Sequence, residues 1–189
     1  MNPESLFVEN GALLKGHFLL SSGLHSDRYL QCALVLAQPG AAEKLGRALA
    51  EISGFKPDLV LSPAMGGLMI GHEVARAFGV RHYFTERVDG TMVLRRGFKL
   101  LPGEKVVVVE DVVTTGKSTK EVFEVIRAAG ATVLGALSVV DRSEGRSALG
   151  VPYSALWAVS VPAWKPEECP LCKAGVPAVK PGSRTEKKS

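Results

Sequence analysis

The residues best suited to chemistry lie in one stretch, Val106 to Thr119, which reads VVVVEDVVTTGKST. A run of valines ends in two adjacent carboxylates, Glu110 and Asp111, and a turn rich in hydroxyl groups follows. Continuous valines predict a strand buried on both faces, as in a parallel sheet. Ligands of such sheets bind beyond the carboxyl ends of the strands. The acids and the turn are therefore placed where a ligand would lie.

The turn after the acids is suited to hold a phosphate group. A helix is predicted over residues 114–130, and the free N–H groups at a helix start bind anions. Hydroxyl groups between Thr114 and Thr119 add donors, and Gly116 lets the backbone come close to a ligand. Each charge-assisted hydrogen bond to phosphate contributes about 1.5–3 kcal/mol. The turn can therefore bind one phosphate monoester without help from Lys117.

The same letters also suggest a different phosphate loop. Gly116, Lys117 and Ser118 match the end of the nucleotide-hydrolase loop, but that loop needs a second glycine five positions earlier. The position holds Asp111, whose carboxylate would lie against the phosphates, so this alternative fails. Glu110 and Asp111 are better suited to accept hydrogen bonds from a vicinal diol or to attract positive charge on a sugar. A phosphate cradle beside such acids describes a ribose 5-phosphate site.

Alternating patterns of strands and helices predict an α/β fold with a mostly parallel central sheet flanked by helices. Two short strands or a hairpin are predicted over residues 16–36, and a loop or mobile hairpin over Arg87 to Glu104. The helical patterns cover residues 2–14, 39–53, 66–79 and 114–130. The strand patterns cover residues 58–63, 81–86, 105–111, 132–141 and 153–161.

Composition limits the class of protein. The chain has 189 residues, 46% of them apolar, and a net charge of +4. No apolar run is long enough to cross a bilayer and no signal peptide is visible, so neither a membrane nor secretion is expected. Three cysteines then favour reduced thiols in the cytoplasm. The mild charge and the lack of room for a winged helix argue against nucleic acid as a partner.

Several segments together resemble one known family. VVVVEDVVTTGKST matches the signature of the type I phosphoribosyltransferases. The resemblance narrows to the orotate phosphoribosyltransferases, in particular a bacterial branch, and it covers about Gly16 to Gly145. The segments that carry it are SSGLHSDRYLQCALVL, SPAMGGLMIGHEVARAFG, FTERVDGTMVLRRGF and SVVDRSEG, in the family's order.

The resemblance implies a fold and a reaction. It implies one phosphoribosyltransferase domain over residues 1–178, with a small hood from about 1–38 and 150–178, and then a polar basic tail over 179–189. The family transfers ribose 5-phosphate from phosphoribosyl pyrophosphate (PRPP) to orotate, with Mg²⁺ carried by PRPP rather than by a protein metal site. It also implies a homodimer in which a mobile loop is shared between the subunits.

The resemblance also implies roles for individual residues. Arg87, Glu110 and Asp111 would be catalytic. The PRPP site would consist of these three together with Val112, Val113, Thr114, Thr115, Gly116, Lys117 and Ser118. Thr114 and Arg142 would bind orotate, Gly66 and Gly67 would approach the pyrophosphate, and Tyr29 would either stack on the base or pack in the interior.

The chain departs from the better-known form of the family at two places. A lysine before the hairpin loop is replaced by Ser21, and the mobile loop has no histidine. Arg95 and Arg96 are the candidates to supply the missing loop cations.

The cysteines and histidines give a weaker signal. Cys169 and Cys172 form one Cys-x-x-Cys pair, but a structural zinc needs four ligands and Cys32 is distant in sequence. The histidines, among them His25 in the hairpin loop, show no His-x-x-x-His spacing, which argues against a histidine-based metal site. The sequence favours a reduced pair in a C-terminal turn, with a dimer-bridging zinc or a disulfide as alternatives. The four histidines are His17, His25, His72 and His82.

Overall fold

The computed structural model describes residues 2–20 and 22–181. Ser21 and residues 182–189 of the predicted tail lie outside the described residues. The helices are α1 (Pro3–Glu9), α2 (Cys32–Leu36), α3 (Pro39–Ser53), α4 (Gly67–Phe78), α5 (Lys117–Ala128) and α6 (Pro170–Lys173). The strands are β1 (Leu13–Leu19), β2 (His25–Leu30), β3 (Leu59–Pro63), β4 (Arg81–Val88), β5 (Thr91–Leu94), β6 (Lys105–Val113), β7 (Thr132–Asp141) and β8 (Tyr153–Ala158).

The central sheet has six strands in the order β5-β4-β3-β6-β7-β8. Five of these strands are parallel, and only the edge strand β5 pairs antiparallel, with β4. The predicted α/β fold with a mostly parallel sheet is confirmed. Strand β6 lies inside the sheet between β3 and β7, so the residues that follow its carboxyl end lie near the carboxyl ends of both neighbours.

The valines of β6 belong to two hydrophobic cores. Val107 and Val109 pack into the core that contains buried residues of α3 and α4. Val106 and Val108 point to the opposite face and pack into the core that contains buried residues of α5. Because successive side chains of a strand alternate between faces, a strand covered on both sides must be apolar at every position. The apolar run ends at Val109, and the strand then continues through Glu110 and Asp111 to Val113, beyond the predicted end at residue 111.

The structure corrects the sequence prediction at the end of the N-terminal hairpin. The predicted hairpin over residues 16–36 forms as β1 and β2, which pair antiparallel, but the second strand ends at Leu30. Residues 32–36 form α2 instead, because Cys32, Val35 and Leu36 are buried at helical spacing. The region Arg87 to Glu104, predicted as a loop or mobile hairpin, contains the last residues of β4, the turn and all of β5, and β4 itself begins at Arg81.

The two-stranded sheet of β1 and β2 is separate from the central sheet and contacts the C-terminal segment. The N–H and C=O groups of His25 exchange hydrogen bonds with Trp164, both at 2.8 Å. On the other strand, the Val179 N–H donates to His17 O at 2.8 Å and the Leu19 N–H donates to Val179 O at 2.9 Å. Within residues 2–20 and 22–181, no helix is long and apolar enough to span a membrane.

Candidate active site

The turn between β6 and α5 places backbone N–H groups beyond the carboxyl end of the central strand. Gly116 is the N-cap residue of α5 and has φ 71°, a left-handed conformation that favours glycine. A side-chain carbon at this position would also lie 2.5 Å from Leu149 Cδ2. The turn residues Thr114 and Thr115 are exposed, and the Lys117 N–H donates to Thr115 Oγ1 at 3.3 Å. The later N–H groups in the first turn of α5 have no partner inside the helix and can donate to a ligand.

Glu110 and Asp111 lie within β6, before this turn. As neighbours in a strand they point to opposite faces of the sheet, with Asp111 toward the loop that contains Gly66 and Glu110 toward the side of Tyr153. Burial raises the pKa of Glu110 well above its usual value, and the neighbouring charge of Asp111 raises it further. Burial also raises the pKa of Asp111, while the Val112 N–H, which donates to Asp111 Oδ1 at 2.8 Å, lowers it. Glu110 is buried and Asp111 half-buried, and carboxylates in such places are costly to keep charged without a partner. Such a pair is ready to gain from hydroxyl donors or from positive charge.

The loop before α4 approaches the acids so closely that it needs glycine. A side-chain carbon on Gly66 would lie 2.6 Å from Asp111 Oδ1, and one on Gly67 would lie 2.9 Å from Val109 O. These contacts are shorter than van der Waals distance, so larger residues cannot be accommodated without movement. The backbone of this loop thus lies directly against the Asp111 carboxylate.

Arg142 follows β7 on the same edge of the sheet. Its Nε atom is buried and has no hydrogen-bond partner among the described residues. Burial lowers the pKa of its guanidinium. The pKa of Tyr29 is raised by burial, lowered by Arg142 and raised by Asp111, so both charges act on this phenol. The structure therefore brings together Tyr29, Arg142 and Asp111, although they are far apart in sequence.

The arginines of the β4–β5 region are held by contacts outside the phosphate turn. Arg87, at the end of β4, forms an ion pair with Glu121 of α5 and donates to Gly90 O. Arg96 is ion-paired with Glu86 at 2.8 Å, and Arg95 is exposed. In this conformation Arg87 reaches α5, and Arg96 stays on its own hairpin. Nothing in the sequence indicated that Glu121 would pair with Arg87.

One group of chemically active side chains was missed by the sequence analysis. His17, His25, Cys169 and Cys172 offer ligand atoms that all lie within 4.8 Å of one another. In the sequence, Cys169 and Cys172 have no second cysteine pair, and the histidines lack the spacing that would place two of them on one helix face. The two histidines lie on neighbouring strands, β1 and β2, and only the paired strands bring them together.

A helix-start turn with exposed hydroxyl residues, two acids and a glycine loop at one edge of a parallel sheet are the features expected of a protein that binds a phosphorylated sugar. The model of the phosphoribosyl transferase domain family matches residues 33–156. The chain therefore belongs to the phosphoribosyltransferase family, and within it to the orotate phosphoribosyltransferases, on the similarities that follow.

The orotate phosphoribosyltransferase of Pelotomaculum thermopropionicum is 55% identical over 181 residues, 95% of each chain. That of Heliobacterium modesticaldum is also 55% identical, over 95% of this chain and 96% of the relative. The crystal structure of the orotate phosphoribosyltransferase from Aeropyrum pernix is 29% identical and has a TM-score of 0.68, covering 84% of this chain and 94% of that one. The expected fold, family and enzyme class are thus confirmed.

Proposed function

We propose that the chain transfers ribose 5-phosphate from PRPP to orotate, which gives orotidine 5'-phosphate and pyrophosphate and serves pyrimidine synthesis. The observation that carries this proposal is the pair of acids near the end of β6, buried Glu110 and half-buried Asp111, shortly before the phosphate turn. A sugar phosphate placed there has its phosphate on the turn and its hydroxyl edge on the acids.

The 5-phosphate of PRPP lies in the turn from Thr114 to Ser118. The last two residues of this turn, Lys117 and Ser118, belong to the first turn of α5. Backbone N–H groups, the threonine hydroxyls and the helix start supply its hydrogen bonds. Val112 and Val113 contribute backbone only, since Val113 is buried and paired with β7. Lys117 is exposed and adds positive charge at the rim of the turn.

Glu110 and Asp111 bind the ribose hydroxyls and stabilise the positive charge that develops on the sugar when the bond to pyrophosphate breaks. Their raised pKa values mean that donors from the sugar are needed to favour the charged forms. Gly66 and Gly67 bring backbone N–H groups of their loop toward the pyrophosphate. This mechanism needs no nucleophilic side chain. The four residues act by positioning the substrate and stabilising charge.

The residues present also fit Mg²⁺ carried by PRPP. Mg²⁺ prefers oxygen ligands and commonly combines one or two carboxylates with substrate phosphates. The Asp111 carboxylate, which lies against the Gly66 loop, offers such oxygens between the proposed sugar and pyrophosphate positions. When bound, the ion would neutralise charge on the leaving pyrophosphate.

Arg142 is the proposed partner of the orotate carboxylate. A guanidinium binds a planar carboxylate through paired hydrogen bonds, and its buried Nε is without a partner among the described residues. Thr114 contacts the same substrate from the turn, and the ring of Tyr29, whose centroid lies 5.9 Å from that of Phe18, can stack on the base. These contacts favour an acidic pyrimidine over an uncharged purine.

The loop cations and the second subunit complete the site in this proposal. Arg87 leaves Glu121 to bind the pyrophosphate when the loop closes, and Arg95 and Arg96 serve in place of the family's lysines. The loop enters the site of a second copy, so the enzyme is a homodimer. Exposed Met65 and Met69 near the glycine loop support such a contact, at 79% and 55% exposure.

The β1–β2 sheet with the C-terminal segment forms the hood in this proposal. The enzyme works in the cytoplasm, where charged phosphorylated substrates are retained.

The proposal is tested by mixing the protein with Mg²⁺, PRPP and orotate and following the loss of orotate absorbance. Adenine, guanine and uracil serve as alternative acceptors. Of these four acceptors, only orotate is expected to be converted. Turnover with a purine and none with orotate would refute the proposed substrate. Light scattering, together with mixing of an inactive Arg87 variant and an inactive Asp111 variant, tests the shared loop, because mixed dimers should regain activity.

A further inference from the structure

The C-terminal segment from Pro162 to Pro181 has almost no hydrophobic core of its own. Cys169 is its one buried residue, with 0% exposure. Helix α6 has only four residues, too few to be stable alone. Backbone hydrogen bonds join the segment to β1 and β2, but segments with so little apolar burial usually need a further cross-link. Because Cys169 is the one buried residue of the segment, we expect a cross-link to involve it.

Cys169 lies in a group of four potential metal ligands, here named the His–Cys cluster: His17, His25, Cys169 and Cys172. Cys169 Sγ lies 3.4 Å from His17 Nε2, and Cys172 Sγ lies 3.2 Å from His25 Nδ1. His17 Nε2 and His25 Nδ1 are 2.8 Å apart. Three of the four residues are buried, and Cys172 is the exposed member.

The hydrogen bonding of His17 shows which of its nitrogens faces the cluster as a ligand. His17 Nδ1 lies 2.6 Å from Val176 O, and a carbonyl oxygen can only accept. The proton of the neutral ring is therefore on Nδ1, and Nε2 presents its lone pair to the other three residues. Histidine ligands of metals are typically held in this way, with the second nitrogen donating to a carbonyl or carboxylate.

The spacing of the cluster suits a tetrahedral ion. Zinc–sulfur bonds of about 2.3 Å and zinc–nitrogen bonds of about 2.0–2.1 Å place neighbouring ligand atoms about 3.3–3.8 Å apart. The ligand atoms of the cluster need shifts of about 1 Å or less from their present separations, which range from 2.8 Å to no more than 4.8 Å. Two thiolates and two imidazoles are a common ligand set of structural zinc.

We propose that the His–Cys cluster binds one structural zinc ion, which fastens the C-terminal segment to β1 and β2. Both cysteines are free thiols in the structure, and the pair lies next to two histidines rather than being isolated. All four protein ligands are present, so the ion has no open position and takes no part in the transfer reaction. The binding site is formed within one subunit.

The first test is metal content and geometry in the full chain, without an affinity tag. Inductively coupled plasma mass spectrometry should find about one zinc per chain after growth with added zinc. Replacing zinc with Co²⁺ should give the visible absorption of a tetrahedral ion and a thiolate charge-transfer band. An octahedral Co²⁺ spectrum, or a Cys169–Cys172 disulfide in freshly purified protein, would overturn the proposal.

Variants then locate the site. Cys172→Ser changes the exposed ligand in the C-terminal segment, so it is the variant best able to fold. His25→Gln changes a ligand on β2. Both should lower zinc content about tenfold or more. Cys32→Ala and His72→Gln are the matched controls, a cysteine and a histidine outside the cluster, and both should retain zinc. Full zinc content in Cys172→Ser, or equal loss in the controls, contradicts the assignment.

Thermal unfolding tests the fastening itself. Removing zinc with a chelator should lower the Tm of the wild-type protein by about 10 °C, and added zinc should restore it. The Cys172→Ser variant should unfold at the lower temperature with or without chelator. If the wild-type Tm is unchanged when zinc is removed, the ion does not hold the segment, and the proposed role is wrong.

Discussion

The phosphate turn and the His–Cys cluster are built in opposite ways. The turn and its acids come from one short stretch of chain at the end of β6, whereas Cys169 and His17 are 152 residues apart in sequence. The turn leaves Thr114 and Thr115 exposed, and neither carboxylate of the acids before it forms an ion pair with any residue in 2–20 or 22–181. In the cluster, the polar atoms face one another. A site for a substrate that comes and goes needs open groups, and a structural site needs closed ones.

This difference makes a prediction for mutagenesis. Changes at the phosphate turn or its neighbours should lower activity and leave zinc content intact. Changes at the cluster should lower stability and zinc content, while the chemical step is retained in the folded fraction.

Asp111→Asn should reduce kcat by about 10²–10³, because a carboxylate that stabilises developing charge on the sugar is lost. Stability should be unchanged or slightly higher, since burial already disfavours the charged form of Asp111. Steady-state rates at saturating PRPP and orotate, with Tm and zinc content, measure this. Asp58→Asn, at the exposed position before β3, is the control and should keep wild-type kcat, since the amide oxygen can still accept from the Lys105 N–H. Wild-type kcat in Asp111→Asn would remove the acid pair from the mechanism.

Arg142→Gln should raise the KM for orotate about 10- to 100-fold, because a hydrogen-bonded charge pair with the substrate is removed. The KM for PRPP should change little. Arg146→Gln is the control, since Arg146 lies four residues later and is 76% exposed in its pair with Glu144. Initial rates at varied orotate provide the measurement. If the PRPP KM rises instead, Arg142 binds the phosphoribosyl donor, and the proposed acceptor site is wrong.

The sequence predicted the site where it is continuous and missed it where it is not. The valine run, the two acids and Gly116 carry their meaning in order, because strand burial and a helix start are local properties. The pairing of Arg87 with Glu121 and the approach of Gly66 to Asp111 depend on packing between distant elements. The His–Cys cluster shows the same limit, since its four ligands meet only after β1, β2 and the C-terminal segment come together.

Gly116→Ala should raise the KM for PRPP about tenfold, because the turn must shift to relieve the clash with Leu149 and its N–H groups move. Gly130→Ala is a close match at the other end of α5, with φ 72° and nothing nearer than 3.6 Å. Both variants should lose about 1–2 kcal/mol of stability from the left-handed backbone. Only Gly116→Ala should lose PRPP affinity; equal KM values for PRPP would show that the turn does not bind it.

Glu110 offers the smallest and most specific test, a pH dependence of stability without substrates. Its pKa is raised in the folded protein, first by burial and then by Asp111, so the folded state holds this proton more tightly than the unfolded state. The stabilising contribution is complete below the usual glutamate value of 4.5 and is lost as pH rises through the folded pKa. The glutamine in Glu110→Gln cannot ionise, so this variant does not lose stability in this way. The difference between its Tm and that of wild type should therefore increase as pH rises from about 5 to about 8.

The expected change is a few °C, because about 1 kcal/mol moves the Tm of a domain this size by about 2–4 °C. His82, whose pKa burial and His72 lower to about 4, titrates in both proteins and cancels in the difference. Differential scanning calorimetry across this range, with zinc content fixed, makes the measurement. A constant difference in Tm would mean that Glu110 is ionised at no cost. The acid pair would then lack the unmet demand for donors that distinguishes the phosphate site from the closed His–Cys cluster.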